Sequence, residues 1–198
     1  MKDAELLSAI QSRAARGAVG ASAARGRGNA GVVRAARTYL RNANLRKFGE
    51  SPKLFERRLD QETDALRAAL PRGARHWGVA RKLLNIFLRD CLYTTYLEAE
   101  YRLRAIEKLL EIPLDSVTAK ALKRASGRGC LPRWPGVRHL TPEVSAAFQA
   151  AARSEAARQG IARVHLDAFM CTLAARQGIA RVHLDAFMWS QSRDEDAA

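Results

Sequence analysis

The stretch WGVARKLLNIFLRDCLYTTYLEAEY, which runs from just after His76 to Tyr101, most constrains what this chain can fold into. It is apolar on most faces of a helical wheel, and a helix with so little polar surface has to be buried among other elements. Its neighbours carry apolar residues three and four apart with few β-branched runs, which predicts an all-α fold. Residues 3–16 read as a first helix, 17–31 (GAVGASAARGRGNAG) as a Gly-rich loop and 32–41 (VVRAARTYLR) as a second, amphipathic helix. Ser51 and Pro52 read as the N-cap and first-turn residues of a helix with Leu54, Leu59, Leu66 and Leu70 along one side, ended by Pro71 and Gly73. A short helix over 102–111 stops before Pro113, and Asp115 or Ser116 can cap SVTAKALKRAS. After the Gly/Pro-rich GRGCLPRWPGVRH, Thr141 and Pro142 read as N-cap and N1 of a last long helix.

The 198 residues, 47% of them hydrophobic, suffice for one well-cored all-α domain. Within it, residues 1–50 read as basic N-terminal helices with an Arg/Gly loop, 51–170 as the core, 171–188 as a duplicated segment and 189–198 as a polar tail. Cys91, Cys130 and Cys171 are widely spaced, which indicates neither a disulfide framework nor a zinc knuckle. With no apolar leader and no run of 18 apolar residues, the expectation is a cytoplasmic protein.

A net charge of +14 draws a polyanion by Coulomb attraction and counterion release. Only seven of the 34 basic residues are Lys, so a coding bias towards Arg and Ala would also make the chain basic. Bias alone, however, would not exclude carboxylates from two long stretches. No Asp or Glu lies between Leu6 and Gly49 or between Ser116 and Pro142, while Glu98, Glu100, Glu107 and Glu111 gather between those zones. This segregation favours a basic face for nucleic acid, in a nucleoid-associated protein.

Lys82 lies in the apolar helix with Asn85 and Arg89 three and seven residues on. A lysine there can lay its stem along apolar surface and keep its amine in water. Asp115 has an equally ordinary reading, as an N-cap carboxylate that accepts backbone N–H bonds.

LPRGARHWGVARKLLNIFL (70–88), EIPLDSVTAK (111–120) and GIARVHLDAFMW (178–189) together resemble helix-hairpin-helix DNA glycosylases, most closely the archaeal-type 8-oxoguanine DNA glycosylases. In that family a catalytic Lys follows a hairpin, an IPxDS-like turn some thirty residues later carries the catalytic Asp, and a GI…LHID…W-like segment closes the domain. The resemblance implies that Lys82 and Asp115 are catalytic, in a bifunctional glycosylase/AP lyase acting on double-stranded DNA with an oxidised purine. It implies no metal and no organic cofactor. A flipped base needs a pocket, for which Trp77, Tyr93, Tyr96, Trp134 and His139 are candidates, although each reads first as a core or loop-packing residue. Candidate phosphate contacts are Arg25, Arg27, Arg75, Arg81, Lys120 and Lys123. The competing readings are a non-catalytic basic nucleic-acid-binding module, and an interaction protein that binds through a C-terminal apolar helix.

AARQGIARVHLDAFM occurs at 156–170 and again at 174–188. Two identical copies suggest a recent duplication rather than a repeat array, which needs three or more units. The 18-residue offset is about five helical turns, so one copy can pack natively while the other extends the C-terminus and offers a surface for self-association of an otherwise monomeric protein. The His and Asp within each copy stand two apart, roughly 200° around a helix, which argues against metal ligation.

Overall fold

The structure is a computed structural model that describes residues 2–20 and 31–168. Every regular element in it is helical, and no strand occurs among the described residues, as the periodicity predicts. Among the described residues the α-helices follow in the order α1 (Lys2–Ala18), α2 (Gly31–Arg41), α3 (Arg46–Gly49), α4 (Phe55–Ala69), α5 (Trp77–Leu92), α6 (Thr95–Tyr101), α7 (Ser116–Ser126) and α8 (Pro142–Arg158). Short 3₁₀ turns join them at Pro52–Leu54, Arg72–Ala74, Leu103–Ile106, Val137–His139 and Arg163–His165. No helix among the described residues is long and apolar enough to cross a membrane.

As expected, α5 is the central helix: Val79, Leu83, Leu84, Phe87, Leu88 and Cys91 are all buried. Around it α1, α2 and α4 supply a first apolar cluster, in which Ala14, Ala15 and Ala18 let α1 lie close. A second cluster joins Ile112, Leu114, Leu122, Phe148 and Ala152 from α7, α8 and the segment before α7. Hydrophobic burial therefore divides the molecule into two packed groups, and the polar stripe of α5 (Arg81, Lys82, Asn85, Arg89) bonds to residues from both.

Four local expectations are corrected. The helix expected from His76 to Tyr101 is two helices, because Thr94 is extended and its hydroxyl donates to Asp90 O at 2.8 Å, a local bond that competes with continued helix. Instead of a helix over 102–111, Arg102 adopts a left-handed conformation (φ 54°) that ends α6 and starts a 3₁₀ turn. Ser51 makes no side-chain capping bond, and Pro52 opens a 3₁₀ turn ahead of α4. Leu54, on that turn, is 45% exposed, while Leu59, Leu66 and Leu70 are buried as expected. The first copy of the doubled segment docks: Arg163, Val164 and Leu166 are buried. The second copy and Trp189 lie outside the described residues.

Candidate active site

Lys82 points from α5 and Asp115 heads α7, so their meeting crosses the seam between the two apolar clusters. Lys82 Nζ donates to Asp115 Oδ2 at 3.1 Å. The other oxygen, Oδ1, accepts from the backbone N–H groups of Val117 and Thr118 at 2.9 and 3.0 Å. Asp115 is thus both the cap of α7 and the partner of Lys82. The lysine side chain is only 10% exposed, so its amine does not reach open water as a snorkelling residue would. Burial alone would raise the Asp115 carboxyl, but the charge of Lys82 and the N–H groups at the start of α7 outweigh it and hold it below the usual carboxylate range.

Residues 110–115, which deliver Asp115, belong to no helix. Pro113 disfavours helical backbone at Ile112, and the polar groups of this stretch find side-chain partners instead. Arg163 donates to Leu110 O at 3.1 Å and Leu109 O at 2.7 Å. Gln149 of α8 spans Ile112, accepting from its N–H at 3.2 Å and donating to its carbonyl at 2.8 Å. Glu111 accepts two bonds from Arg81 at 2.8 and 3.0 Å and one from Asn85 at 2.9 Å. Burial pushes Glu111 up, yet Arg81 and Asn85 prevail and its carboxyl stays below the ordinary range. Burial pushes the Arg163 guanidinium down to about 10, an effect that Glu111 opposes.

Arg81 corrects an expectation. It is 7% exposed and is held by Asp60, Thr63 and Glu111, so it does not contact phosphate as anticipated. Arg75 is exposed, with Nε donating to Leu70 O at 2.9 Å. Lys120 and Lys123 line a cavity of about 640 Å³ beside α7, together with Arg124, Arg128, Leu131 and Trp134. Arg25 and Arg27 lie outside the described residues.

The aromatic candidates are not gathered into one described cavity. Trp134 stands edge-on to Phe148 at 5.4 Å, and its buried indole N–H has no partner among the described residues. Trp77 lies under the Arg81 guanidinium at 5.3 Å. His139 is exposed on the 3₁₀ turn that packs against α5, while Tyr96 is 61% exposed. Tyr93, 51% exposed, stacks on His165 and meets its Nδ1 through the phenol at 2.9 Å. The crevice under Lys82, lined by Gly78, Asn85, Leu114, Leu140 and Gln149, is too narrow for a water molecule.

The His and Asp of the docked copy are fully engaged. His165 Nε2 contacts Glu107 at 2.6 Å, and Asp167 accepts from Arg89 at 2.6 Å and from Thr118 at 3.5 Å. Asp167 therefore ties the copy to both α5 and α7. Sequence reasoning missed Glu111, Gln149 and Arg163 as supports. The one local signal is a polar residue at a core position, since Gln149 shares the 145–149–152–156 stripe of α8 with buried Ala152 and Ala156. Comparison with protein-family models, with curated proteins and with solved structures finds no match.

Proposed function

We propose that this chain is a DNA glycosylase with AP lyase activity, which excises an oxidised purine, 8-oxoguanine, from duplex DNA with Lys82 as its nucleophile. The observation that carries the reading is the half-enclosed Lys82–Asp115 pair, an amine and a carboxylate brought together from separately packed groups. The other lysine ion pair among the described residues, Lys47–Glu62, has its lysine side chain 55% exposed. In the reaction Lys82 passes a proton towards Asp115 Oδ2, and the neutral amine attacks C1′ of the damaged nucleotide. The N-glycosidic bond breaks, its electron pair leaves with the base, and the base takes up a proton. The C1′–O4′ bond then opens to a Schiff base, with O4′ protonated as the nitrogen loses its proton. Removal of a C2′ proton breaks the C3′–O bond and nicks the strand, and hydrolysis frees Lys82. Asp115 keeps Oδ1 on the α7 N–H groups throughout, so Oδ2 stays aimed at the amine and at positive charge developing on the sugar. Lys120, Lys123, Arg124 and Arg128 on the same flank attract the backbone.

The test is borohydride trapping and nicking on duplexes bearing one 8-oxoguanine or one AP site, with Lys82→Gln and Asp115→Asn alongside. The expected result is a covalent adduct that Lys82→Gln abolishes. A protein that binds the duplex and gives no adduct on either substrate would instead be a non-catalytic binding module. That second reading has its own support in the closed crevice beneath an ion-paired Lys82.

A further inference from the structure

We infer that the cleft between α1 and α2 is a second DNA-backbone clamp, built from Arg16, Arg34, Arg37 and Arg41 and separate from the lysine site. These arginines, with Ser12 and Thr38, line a cavity of about 380 Å³. Six arginines elsewhere, Arg46, Arg67, Arg81, Arg89, Arg104 and Arg158, form ion pairs. The four cleft arginines form no ion pair among the described residues, and no Asp or Glu lies between Leu6 and Gly49 to pair with them locally. Four guanidinium groups facing one cavity repel one another, and a bound anion relieves that repulsion. The framework is nevertheless rigid. α1 and α2 pack through buried Ala15, Ala18, Val32, Ala36 and Leu40, and Arg37 Nε is fixed on Val19 O at 3.1 Å. Arg34, Arg37 and Arg41 recur at three and four residues and so form one stripe, spanning about 10.5 Å of helix at 1.5 Å per residue. One strand of a duplex carries a charge about every 3.4 Å along the helix axis, so a row of this length faces several phosphates. A linear polyanion matches this row better than a single phosphate, and arginine's planar fork suits phosphate oxygens.

The test is equilibrium binding of the full chain to an undamaged duplex, followed by fluorescence anisotropy across a salt series. Arg16→Gln/Arg34→Gln/Arg41→Gln is expected to flatten the slope of log K against log salt by about 2.7, from about 0.9 per phosphate contact. The three matching Lys substitutions keep the charge and are expected to keep the slope. Should the triple variant fail to fold, Arg34→Gln alone is expected to lower the slope by about 0.9. A folded Gln variant with unchanged slope and affinity would overturn the clamp. So would a loss confined to inorganic polyphosphate with duplex binding intact. The clamp shares only its ligand with the proposed glycosylase: loss of borohydride trapping with a normal salt slope speaks against Lys82 chemistry and leaves the cleft standing.

Discussion

Replacing Arg81 with Met removes the cation that neutralises Glu111 while keeping most of the side-chain volume. Glu111 then retains one described hydrogen bond, from Asn85, and its side chain is only 14% exposed. Breaking a buried pair by removing one partner costs about 3–5 kcal/mol. At about 2–4 °C per kcal/mol for a chain of this size, the melting temperature should fall by roughly 6–20 °C. The pH dependence fixes the cause. In the wild type the Glu111 carboxyl is held low, so its stabilisation is present above the unfolded-state pKa of about 4.3 and is lost as pH falls through the lower folded value. In Arg81→Met burial is no longer opposed by the guanidinium and the carboxyl is raised, so the variant is penalised above about pH 4.3 and recovers as Glu111 takes up a proton. Urea unfolding at pH 7 and near pH 4 should therefore show the gap between the two proteins narrowing with acid. Adding Glu111→Leu should restore most of the loss at pH 7, because an apolar pair leaves no buried charge. A loss below about 1 kcal/mol, against the 3–5 kcal/mol expected, or a gap that does not change with pH, would refute this account of the seam.

Gln149→Ala leaves the N–H and carbonyl of Ile112 without their partner and should cost about 1–3 kcal/mol in urea unfolding, with slower borohydride trapping if the 110–115 segment positions Asp115. Gly78→Ala would put a Cβ 2.3 Å from Val137 O and 2.6 Å from Leu140 Cβ, so the 137–140 turn must shift; calorimetry should read a loss of about 1–3 kcal/mol. Leu166→Ala, at a fully buried position of the docked repeat copy, should cost about 2–5 kcal/mol. If the two copies exchange places, Leu166→Ala and Leu184→Ala should each cost little, because the intact copy takes the place of the altered one.

What was legible before the structure was local. Helix periodicity predicted the all-α fold and the central α5, and cap chemistry predicted the start of α8, where the Thr141 hydroxyl accepts from Val144 N–H at 3.3 Å. The exclusion of carboxylates from two stretches pointed to the regions that line the basic cavities beside α7 and between α1 and α2. What was not legible depended on distant partners. Arg81 read as a surface cation because its carboxylates come from 21 and 30 residues away. The break before α6 rests on one hydroxyl-to-carbonyl bond that apolar periodicity does not register. The docking of His165 and Asp167 rests on Glu107, Arg89 and Thr118, which lie 58, 78 and 49 residues away.

The two readings open for Asp115, helix cap and partner of an amine, are compatible because a carboxylate has two oxygens and the site uses one for each. The cap has a consequence for the chemistry. An aspartate held only by Lys82 would be free to turn away once the amine gave up its proton, because the attraction holding it would vanish. Pinned through Oδ1 to the N–H groups of Val117 and Thr118, it keeps Oδ2 in place whatever the charge on the amine. Lys120 and Lys123 stand about one and two turns further along the same helix, so a DNA backbone that engages them is registered against Oδ2 by helical geometry. The irregular 110–115 segment can therefore place the Asp115 carboxylate without secondary structure of its own. Its end is set by the first turn of α7, and its middle by Gln149, Arg81 and Arg163.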